Sequence, residues 1–133
     1  MRETPEQRSR IMRAVKSADT APEMTVRRMA HRMGYRFRLH RRDLPGKPDL
    51  VFPKLRKVVF VHGCFWHGHH CARGARMPRA NAEYWRAKIG RNSVRDAVNV
   101  AALKLAGWRS AVIWECELKN LARVKKRLAG FLR

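Results

Sequence analysis

The chain has 133 residues, 45% of them hydrophobic, which is enough to bury one core and hardly two, so one folding unit is expected. Its 31 Lys and Arg against 10 Asp and Glu give a net charge of +21 and a pI near 11.6, which indicates a polyanionic partner, most commonly nucleic acid. No run approaches the roughly 18 apolar residues of a membrane span, and no secretory signal opens the chain, so the prediction is a cytoplasmic protein without a membrane partner.

Residues 1–18 predict a basic arm that is helical at least when bound. Arg10 and Arg13 are among its cations, Met12 is among its few apolar residues, and it contains no glycine. For the free protein, a solvated and disordered terminus is an equally good interpretation. The remaining residues, 19–133, are expected to form a single domain.

The first half of that domain predicts a helix followed by three strands. Thr20 to Glu23 resemble a capping box, apolar residues then recur at helical spacing to Met33, and Gly34 suits a left-handed cap. Apolar and polar residues alternate over residues 35–39, as they do in a half-buried strand. Residues 49–52 and 57–62 predict two further strands, and the second of these is apolar enough to be covered on both faces.

The second half predicts an irregular loop, two helices, a strand and a final helix. Their expected ranges are 63–78, 82–89, 94–106, 108–114 and 120–132. The second helix of this half is expected to bury one face, which carries Val94, Val98, Ala101 and Leu105. The order of elements implies an α/β fold with a mixed sheet and helices on both sides.

Histidines and cysteines are concentrated between His62 and Cys71. Four of the six histidines and two of the three cysteines lie there, and an odd number of cysteines favours metal binding over disulfides. A structural zinc ion takes four thiolate or imidazole ligands and stabilises an irregular loop of this kind. The chosen ligands are Cys64, Cys71, Cys116 after the last strand, and His69, although from spacing alone His67 and His70 remain open. Buried free cysteines and surface histidines are the less favoured alternative.

The same run contains two aromatic residues, Phe65 and Trp66, in otherwise polar surroundings. A loop held by metal beside a basic surface could present them for stacking on bases or for wedging between them. Trp85 could join them, but packing of Trp85 in a helix-face core is at least as good an explanation.

Carboxylates suited to metal catalysis are few, and Asp49 is the strongest candidate. It follows a turn and opens a predicted strand, and His62 ends the next strand, at the same edge if the two form a hairpin. A carboxylate beside a strand-end carbonyl and an imidazole could bind Mg²⁺ and move a proton in phosphodiester hydrolysis. Glu23 and Asp96 are further candidates, with plainer alternatives as a helix-start acid and as a partner of nearby arginines.

Six short motifs are distributed over most of the chain. In order they are Pro45-Gly46-Lys47-Pro48-Asp49, Phe60-Val61-His62-Gly63-Cys64-Phe65-Trp66-His67, Lys88-Ile89-Gly90-Arg91-Asn92, Arg95-Asp96, Gly107-Trp108-Arg109 and Trp114-Glu115-Cys116. Together they resemble the Vsr mismatch endonucleases. That resemblance implies a restriction-endonuclease-like fold and a nick 5′ to the thymine of a T·G mispair left by deamination of 5-methylcytosine, which initiates very short patch repair.

The resemblance also implies residue roles. Asp49 matches the aspartate that binds catalytic magnesium, with the carbonyl of Val61 as a further ligand. His62 and His67 match the two active-site histidines, and Glu23 and Asp96 match acidic residues that support the histidines or metal-bound water.

Zinc and DNA contacts follow from the same resemblance. Cys64, His69, Cys71 and Cys116 match the structural zinc ligands, in agreement with the choice made above. Phe65, Trp66 and Trp85 match aromatic residues that push into the base stack beside the mispair, and Met12 falls in the amino-terminal helix that approaches from the opposite groove.

Two positions depart from the family pattern. Val61 replaces a threonine found in some relatives, which removes a hydroxyl but keeps the backbone carbonyl, and Gly68 replaces a histidine without touching an assigned ligand. The acid-x-lysine half of the wider nuclease pattern is missing, and the resemblance implies that histidines take its place.

The expected partner is double-stranded DNA with a T·G mismatch, bound by a monomer at the bacterial nucleoid, with mismatch-repair proteins and a downstream polymerase and ligase as further partners. Two other interpretations compete. One is a zinc-bearing nucleic-acid-binding module without catalysis, and the other is a restriction-type or structure-specific nuclease of the same fold.

Overall fold

The computed structural model describes residues 20–71 and 78–133, which form one mixed sheet with helices on both faces. The elements are α1 (Ala21–Arg32), β1 (Arg38–Leu39), β2 (Leu50–Phe52), β3 (Lys57–His62), α2 (Ala82–Leu105), β4 (Arg109–Trp114), a 3₁₀ helix (Glu115–Lys119) and α3 (Leu121–Leu132). The predicted arm, with Arg10, Met12 and Arg13, lies outside the described residues.

The sheet has the strand order β1-β2-β3-β4. β1, β2 and β3 are antiparallel neighbours, so β2 and β3 meet the condition for bringing Asp49 and His62 to the same edge, while β4 is parallel to β3. The register places Leu39 opposite Leu50 and His62 opposite Trp114. The predicted mixed sheet is therefore present, and the ends of β3 and β4 lie side by side at one edge.

Successive residues of the strands point to opposite faces of the sheet, and each face is covered by a separate buried apolar layer. One layer packs α1 and α3 against the sheet, and its buried members are Val26, Ala30, Leu50, Phe52, Val59, Val61, Ile113, Val124, Leu128 and Leu132. The other packs α2 against the opposite face through Leu44, Val51, Val58, Phe60, Leu103 and Trp108. Because both faces are covered, β3 is buried along its whole length, as its unbroken apolar run predicted.

Helix α1 begins and ends as its sequence predicts. The Thr20 side chain accepts a hydrogen bond from the Glu23 amide at 3.4 Å, which caps the first turn. Gly34 has φ of 89° just after the helix, in the left-handed region that glycine adopts without strain. These two signals fix the position of Glu23 in the first turn.

The prediction of a strand over residues 35–39 is wrong, because the observed strand is shorter and only some of the apolar residues pack inward. Only Arg38–Leu39 pairs with β2, and Leu39 is 42% exposed. Tyr35 and Phe37 do pack inward, with their rings 6.2 and 5.9 Å from the ring of Phe52. The alternation of apolar and polar residues over 35–39 therefore reflects packing of two aromatic rings from an extended segment, and not pairing with the sheet.

The two helices predicted over 82–89 and 94–106 are wrong, because the chain runs through them as one helix, α2. Gly90 did not break the helix, since an isolated glycine only weakens one. The predicted apolar face is also wrong: Val94, Val98 and Leu105 are 66%, 61% and 90% exposed, and Ala101 is exposed. The buried residues of α2 are Trp85, Ile89 and Leu103, on the side that carries Asp96.

Within the described part of the chain, none of the helices combines the length and apolar character that crossing a membrane would require.

Candidate active site

The residues predicted to be catalytic line one cleft of about 630 Å³. Glu23 reaches it from α1, Asp49 from the start of β2, His62 from the end of β3, and Asp96 from α2. His67 reaches it from the loop after β3. The fold therefore brings all five predicted catalytic residues together from five different parts of the chain.

Asp49 is held at the edge of the sheet by a backbone hydrogen bond. Its Oδ2 accepts the Val61 amide at 2.6 Å, where β3 has passed the last residue that pairs with β2. Burial raises the pKa of Asp49 to about 7, although the Val61 amide opposes this increase by stabilising the carboxylate. A cation bound at Asp49 would stabilise the charged carboxylate, which burial has removed from water.

Glu23 is buried and faces two basic groups. Its Oε2 lies 3.2 Å from Arg27 Nη2 and 3.2 Å from His40 Nε2. The plainer interpretation of Glu23 as a helix-start acid is therefore incomplete, because its carboxylate belongs to the cleft. His40 also faces Asp49, with 3.8 Å between His40 Nδ1 and Asp49 Oδ1.

Two histidines of the cleft form a stacked pair. The rings of His62 and His67 lie 3.8 Å apart with an angle of 3° between them. His67 Nδ1 is 2.6 Å from Asp96 Oδ2, so Asp96 orients His67 rather than pairing with arginines on the helix surface. Burial, followed by the neighbouring His67, lowers the pKa of His62 to about 4, so the ring of His62 is neutral at physiological pH.

The predicted zinc ligands converge on a second site beside the first. One ligand atom from each of Cys64, His69, Cys71 and Cys116 lies within 4.8 Å of all the others. His69 completes this group, whereas His67 belongs to a different cluster with His62 and Asp96. The Cys116 amide also points at Cys64 Sγ at 3.4 Å, a contact of the kind that stabilises a thiolate.

The electrostatics of the cysteine site also suit a cation. Burial and the neighbouring thiols raise the pKa of Cys64 to about 12. Thiolates this close together can coexist only if a positive ion neutralises them, and zinc coordinated by three thiolates and one imidazole is a common structural site. The four residues could therefore hold zinc.

The loop between the two sites is fastened to α2. The Asn92 side chain donates to the Trp66 carbonyl at 2.8 Å, and the Ser93 hydroxyl donates to the His67 carbonyl at 3.3 Å. Gly68 has φ of 67°, and a Cβ there would lie 2.8 Å from Ile89 Cγ2. A side chain at Gly68 would therefore require Ile89 to shift.

The aromatic residues Phe65, Trp66 and Trp85 form a cluster beside the cleft. Phe65, Trp66 and Trp85 contact one another edge to face, with centroid separations of 5.1, 5.6 and 5.9 Å. Phe65 and Trp66 line the cleft and are partly exposed. Trp85 is only 3% exposed, so it packs in the core in this conformation, as the alternative explanation expected. A role for Trp85 as a wedge between bases stays a prediction.

His40 is a titratable residue of the cleft that the sequence analysis missed. It directly follows β1, and the pairing of Leu39 with Leu50 makes His40 the neighbour of Asp49 across the strands. A hairpin register extended by one residue would have identified it. That signal was weak because β1 is only two residues long.

The chain is similar along most of its length to known DNA nicking enzymes. Residues 2–73 match the family described as DNA mismatch endonuclease Vsr. The type II nicking enzyme V.XorIIP of Xanthomonas oryzae is 52% identical over 129 residues, 97% of this chain and 94% of the relative. V.NmeAIP of Neisseria meningitidis, also a type II nicking enzyme, is 42% identical over 130 residues, 98% and 92% of the two chains. The DNA mismatch endonuclease Vsr of Escherichia coli is 42% identical over 113 residues, 85% and 72% of the two chains.

The raised pKa of Asp49 predicts a pH-dependent difference in stability between the wild type and Asp49→Asn. A folded-state pKa of about 7 means that folding favours the protonated carboxyl, so its contribution is complete below the ordinary pKa of 3.8 and is lost as the pH rises through about 7. Without magnesium, the free energy of unfolding of the wild type minus that of the variant should fall by a few kcal/mol between about pH 4 and 7.

Urea unfolding of both proteins across this pH range measures the difference directly. The lowered pKa of His62 acts in the opposite direction over much of the same window, but it is common to both proteins and cancels in the subtraction. A constant difference from pH 4 to 7 would mean that Asp49 ionises normally.

Proposed function

Because the chain belongs to the Vsr family of DNA mismatch endonucleases, we propose that it nicks one strand of duplex DNA 5′ to the thymine of a T·G mispair arising from deamination of 5-methylcytosine, which initiates very short patch repair. The observation that carries the proposal is the cleft in which Asp49, His62 and His67 lie beside the partly exposed rings of Phe65 and Trp66. The four-stranded sheet flanked by helices is consistent with a restriction-endonuclease-like fold. A single nick needs one such cleft, which is consistent with a monomer.

We propose that Asp49 and the carbonyl of Val61 bind the catalytic Mg²⁺. The Val61 amide already points at Asp49, and the N–H and C=O of a strand residue face the same side, so the carbonyl belongs to the same edge. A carboxylate and a carbonyl are the oxygen ligands that Mg²⁺ takes. When bound, Mg²⁺ would polarise the scissile phosphate and stabilise the charge that develops on it.

We propose that His67 accepts the proton of the attacking water. A carboxylate can only accept a hydrogen bond, so Asp96 fixes the proton of a neutral His67 on Nδ1 and keeps Nε2 as the basic nitrogen. Asp96 also stabilises the imidazolium that forms. His62 stacks on this ring while neutral, so it supports His67 without repelling its positive charge.

A structural role for zinc follows from the position of its four candidate ligands. Cys64, His69 and Cys71 belong to the loop that also carries Phe65, Trp66 and His67, and Cys116 follows β4. An ion held by these four would fasten the loop to the sheet, since its described residues 63–71 form no helix or strand of their own. We therefore propose that zinc is required both for folding and for the placement of the catalytic pair.

Phe65 and Trp66 are proposed to enter the base stack at the mispair, backed by Trp85. Opening a base step costs a few kcal/mol, and the cost is smallest where pairing is already faulty. Aromatic insertion therefore converts weak pairing into selectivity. Arg10, Arg13 and the many other cations would supply affinity that depends on salt but not on sequence, because phosphate contacts position a protein without specifying bases.

A nicking assay on otherwise identical duplexes tests the reaction and its substrate. With Mg²⁺, the wild type should nick the T·G duplex on the thymine strand and leave the fully paired duplex intact, and Asp49→Asn should reduce the rate at least about 1000-fold. Asp43→Asn is a matched control, because Asp43 pairs with Arg41 at the exposed surface and should matter little. Equal nicking of both duplexes would favour a restriction-type substrate, and DNA binding without nicking would favour a non-catalytic module.

Removal of the proposed zinc should lower stability and activity together. Cys116→Ser, or chelation of the wild type, should release zinc and reduce the melting temperature by about 10 °C or more, because the binding free energy of a structural site is part of the folding free energy. Metal analysis and calorimetry on the same samples provide the two readings. Zinc loss with an unchanged melting temperature would contradict the structural role.

Trp66→Ala should reduce discrimination more than affinity. Loss of one stacking contact, about 1–3 kcal/mol, should lower the preference for T·G over paired DNA by roughly 5-fold to 150-fold while non-specific binding changes little. Replacing both Arg10 and Arg13 with Ala should instead flatten the salt dependence and preserve the preference. Affinities for both duplexes across a salt series separate the two effects, and equal weakening of both duplexes by Trp66→Ala would mean that Trp66 only packs.

A further inference from the structure

His40 faces the same point in the cleft as Asp49 and Glu23. One side-chain ligand atom from each of these three residues lies within 4.8 Å of the other two. They come from separate segments, since Glu23 lies in α1, His40 follows β1 and Asp49 precedes β2. His40 also has φ of 47°, an uncommon conformation for a residue with a side chain, and such conformations concentrate at functional sites.

The distance between His40 and Asp49 suits two ligands of one cation. His40 Nδ1 and Asp49 Oδ1 are 3.8 Å apart, which is too long for a hydrogen bond. Ligand atoms at about 2.0–2.2 Å from one divalent ion can lie up to about 4.4 Å apart. The other oxygen of Asp49 accepts the Val61 amide at 2.6 Å, so Oδ1 is the oxygen directed toward His40.

We propose that His40 Nδ1 joins Asp49 as a direct ligand when a transition ion occupies the cleft in place of Mg²⁺, an inference that rests on the proposed function of Asp49 as a metal ligand. With Nδ1 on the ion, the ring proton lies on Nε2, which is 3.2 Å from Glu23 Oε2. A metal-bound histidine that donates its second N–H to a carboxylate is the common way in which proteins orient such a ring. Glu23 then acts through His40, as a positioning residue.

Arg27 provides the competing arrangement. Its Nη2 lies 2.8 Å from His40 Nε2 and 3.2 Å from Glu23 Oε2. A guanidinium only donates, so a hydrogen bond to Nε2 leaves the proton of a neutral ring on Nδ1, where it blocks a metal ion. Cation binding therefore requires the ring proton to move to Nε2. It also requires Arg27 to break its hydrogen bond with His40, while Arg27 keeps its ion pair with Glu23.

The proposal predicts an ion preference that an all-oxygen site would not have. Imidazole nitrogen suits first-row transition ions such as Co²⁺ and Ni²⁺ and is not a typical ligand of Mg²⁺. His40 should therefore make the cleft select transition ions over Mg²⁺. His40→Gln, which keeps a polar side chain but removes the imidazole, should weaken Ni²⁺ binding about tenfold or more and weaken Mg²⁺ binding less.

Electron spin-echo spectroscopy of Mn²⁺ bound to the full-length, zinc-replete protein tests the ligand directly. The wild type should show nitrogen-14 modulation from a coordinated imidazole, and His40→Gln should lose the modulation while still binding Mn²⁺ at higher concentration. His31→Gln is the matched control, because His31 is an exposed histidine of α1 and should leave the modulation unchanged.

Each result bears on the proposal. Modulation that persists in His40→Gln would assign the nitrogen to another ring, such as His62 or His67, and would overturn the proposal. A wild type that binds Mn²⁺ without any nitrogen modulation would overturn it even if the variant did not fold. Titration of Asp49→Asn separates this inference from the proposed function, because unchanged Mn²⁺ affinity in that variant would instead reject Asp49 as a ligand.

Discussion

The parallel pairing of β3 with β4 is the constraint on which both sites depend. In a parallel pair both strands end at the same edge, so the residues that follow β3 and those that follow β4 are brought together although more than 50 positions separate them. His62 lies opposite Trp114 in this register, Cys64 follows two residues after His62, and Cys116 two residues after Trp114. The contact of the Cys116 amide with Cys64 therefore follows from the register of the sheet.

The sequence correctly predicted the elements in which regularly spaced apolar residues are buried. The prediction was wrong where regularly spaced apolar residues are not buried. β3 and α3 are close to their expected ranges because the apolar run and the helical spacing both correspond to burial. In α2 the stripe through Val98 has the spacing of a buried face, yet it faces solvent. The helix instead buries Leu103 against the sheet and directs Asp96 to His67, and one sequence cannot report which of two helix faces meets the sheet.

The candidate site divides in the same way. The concentration of histidine and cysteine between His62 and Cys71 indicated which residues could bind metal. The spacing of these residues could not show that they divide into two clusters, because that division depends on how the rings are oriented. His69 was the chosen ligand and spacing left His67 and His70 open; the fold places His69 with the cysteines and His67 with Asp96. His40 was missed because its role arises across strands, from the register that makes it the neighbour of Asp49, and its local sequence carries no signal.

Trp114 couples the two clusters that the loop separates. One face of its indole stacks on His69 at 4.2 Å with an angle of 16°, and its ring also meets His62 edge to face at 5.2 Å. His62 in turn stacks on His67, so a continuous series of ring contacts joins the cysteine site to the proposed base. Packed rings transmit displacement because interiors have few voids to absorb it. A shift of His69 would therefore move the ring on which His67 rests, so the placement of the stacked pair His62 and His67 depends on the integrity of the cysteine site.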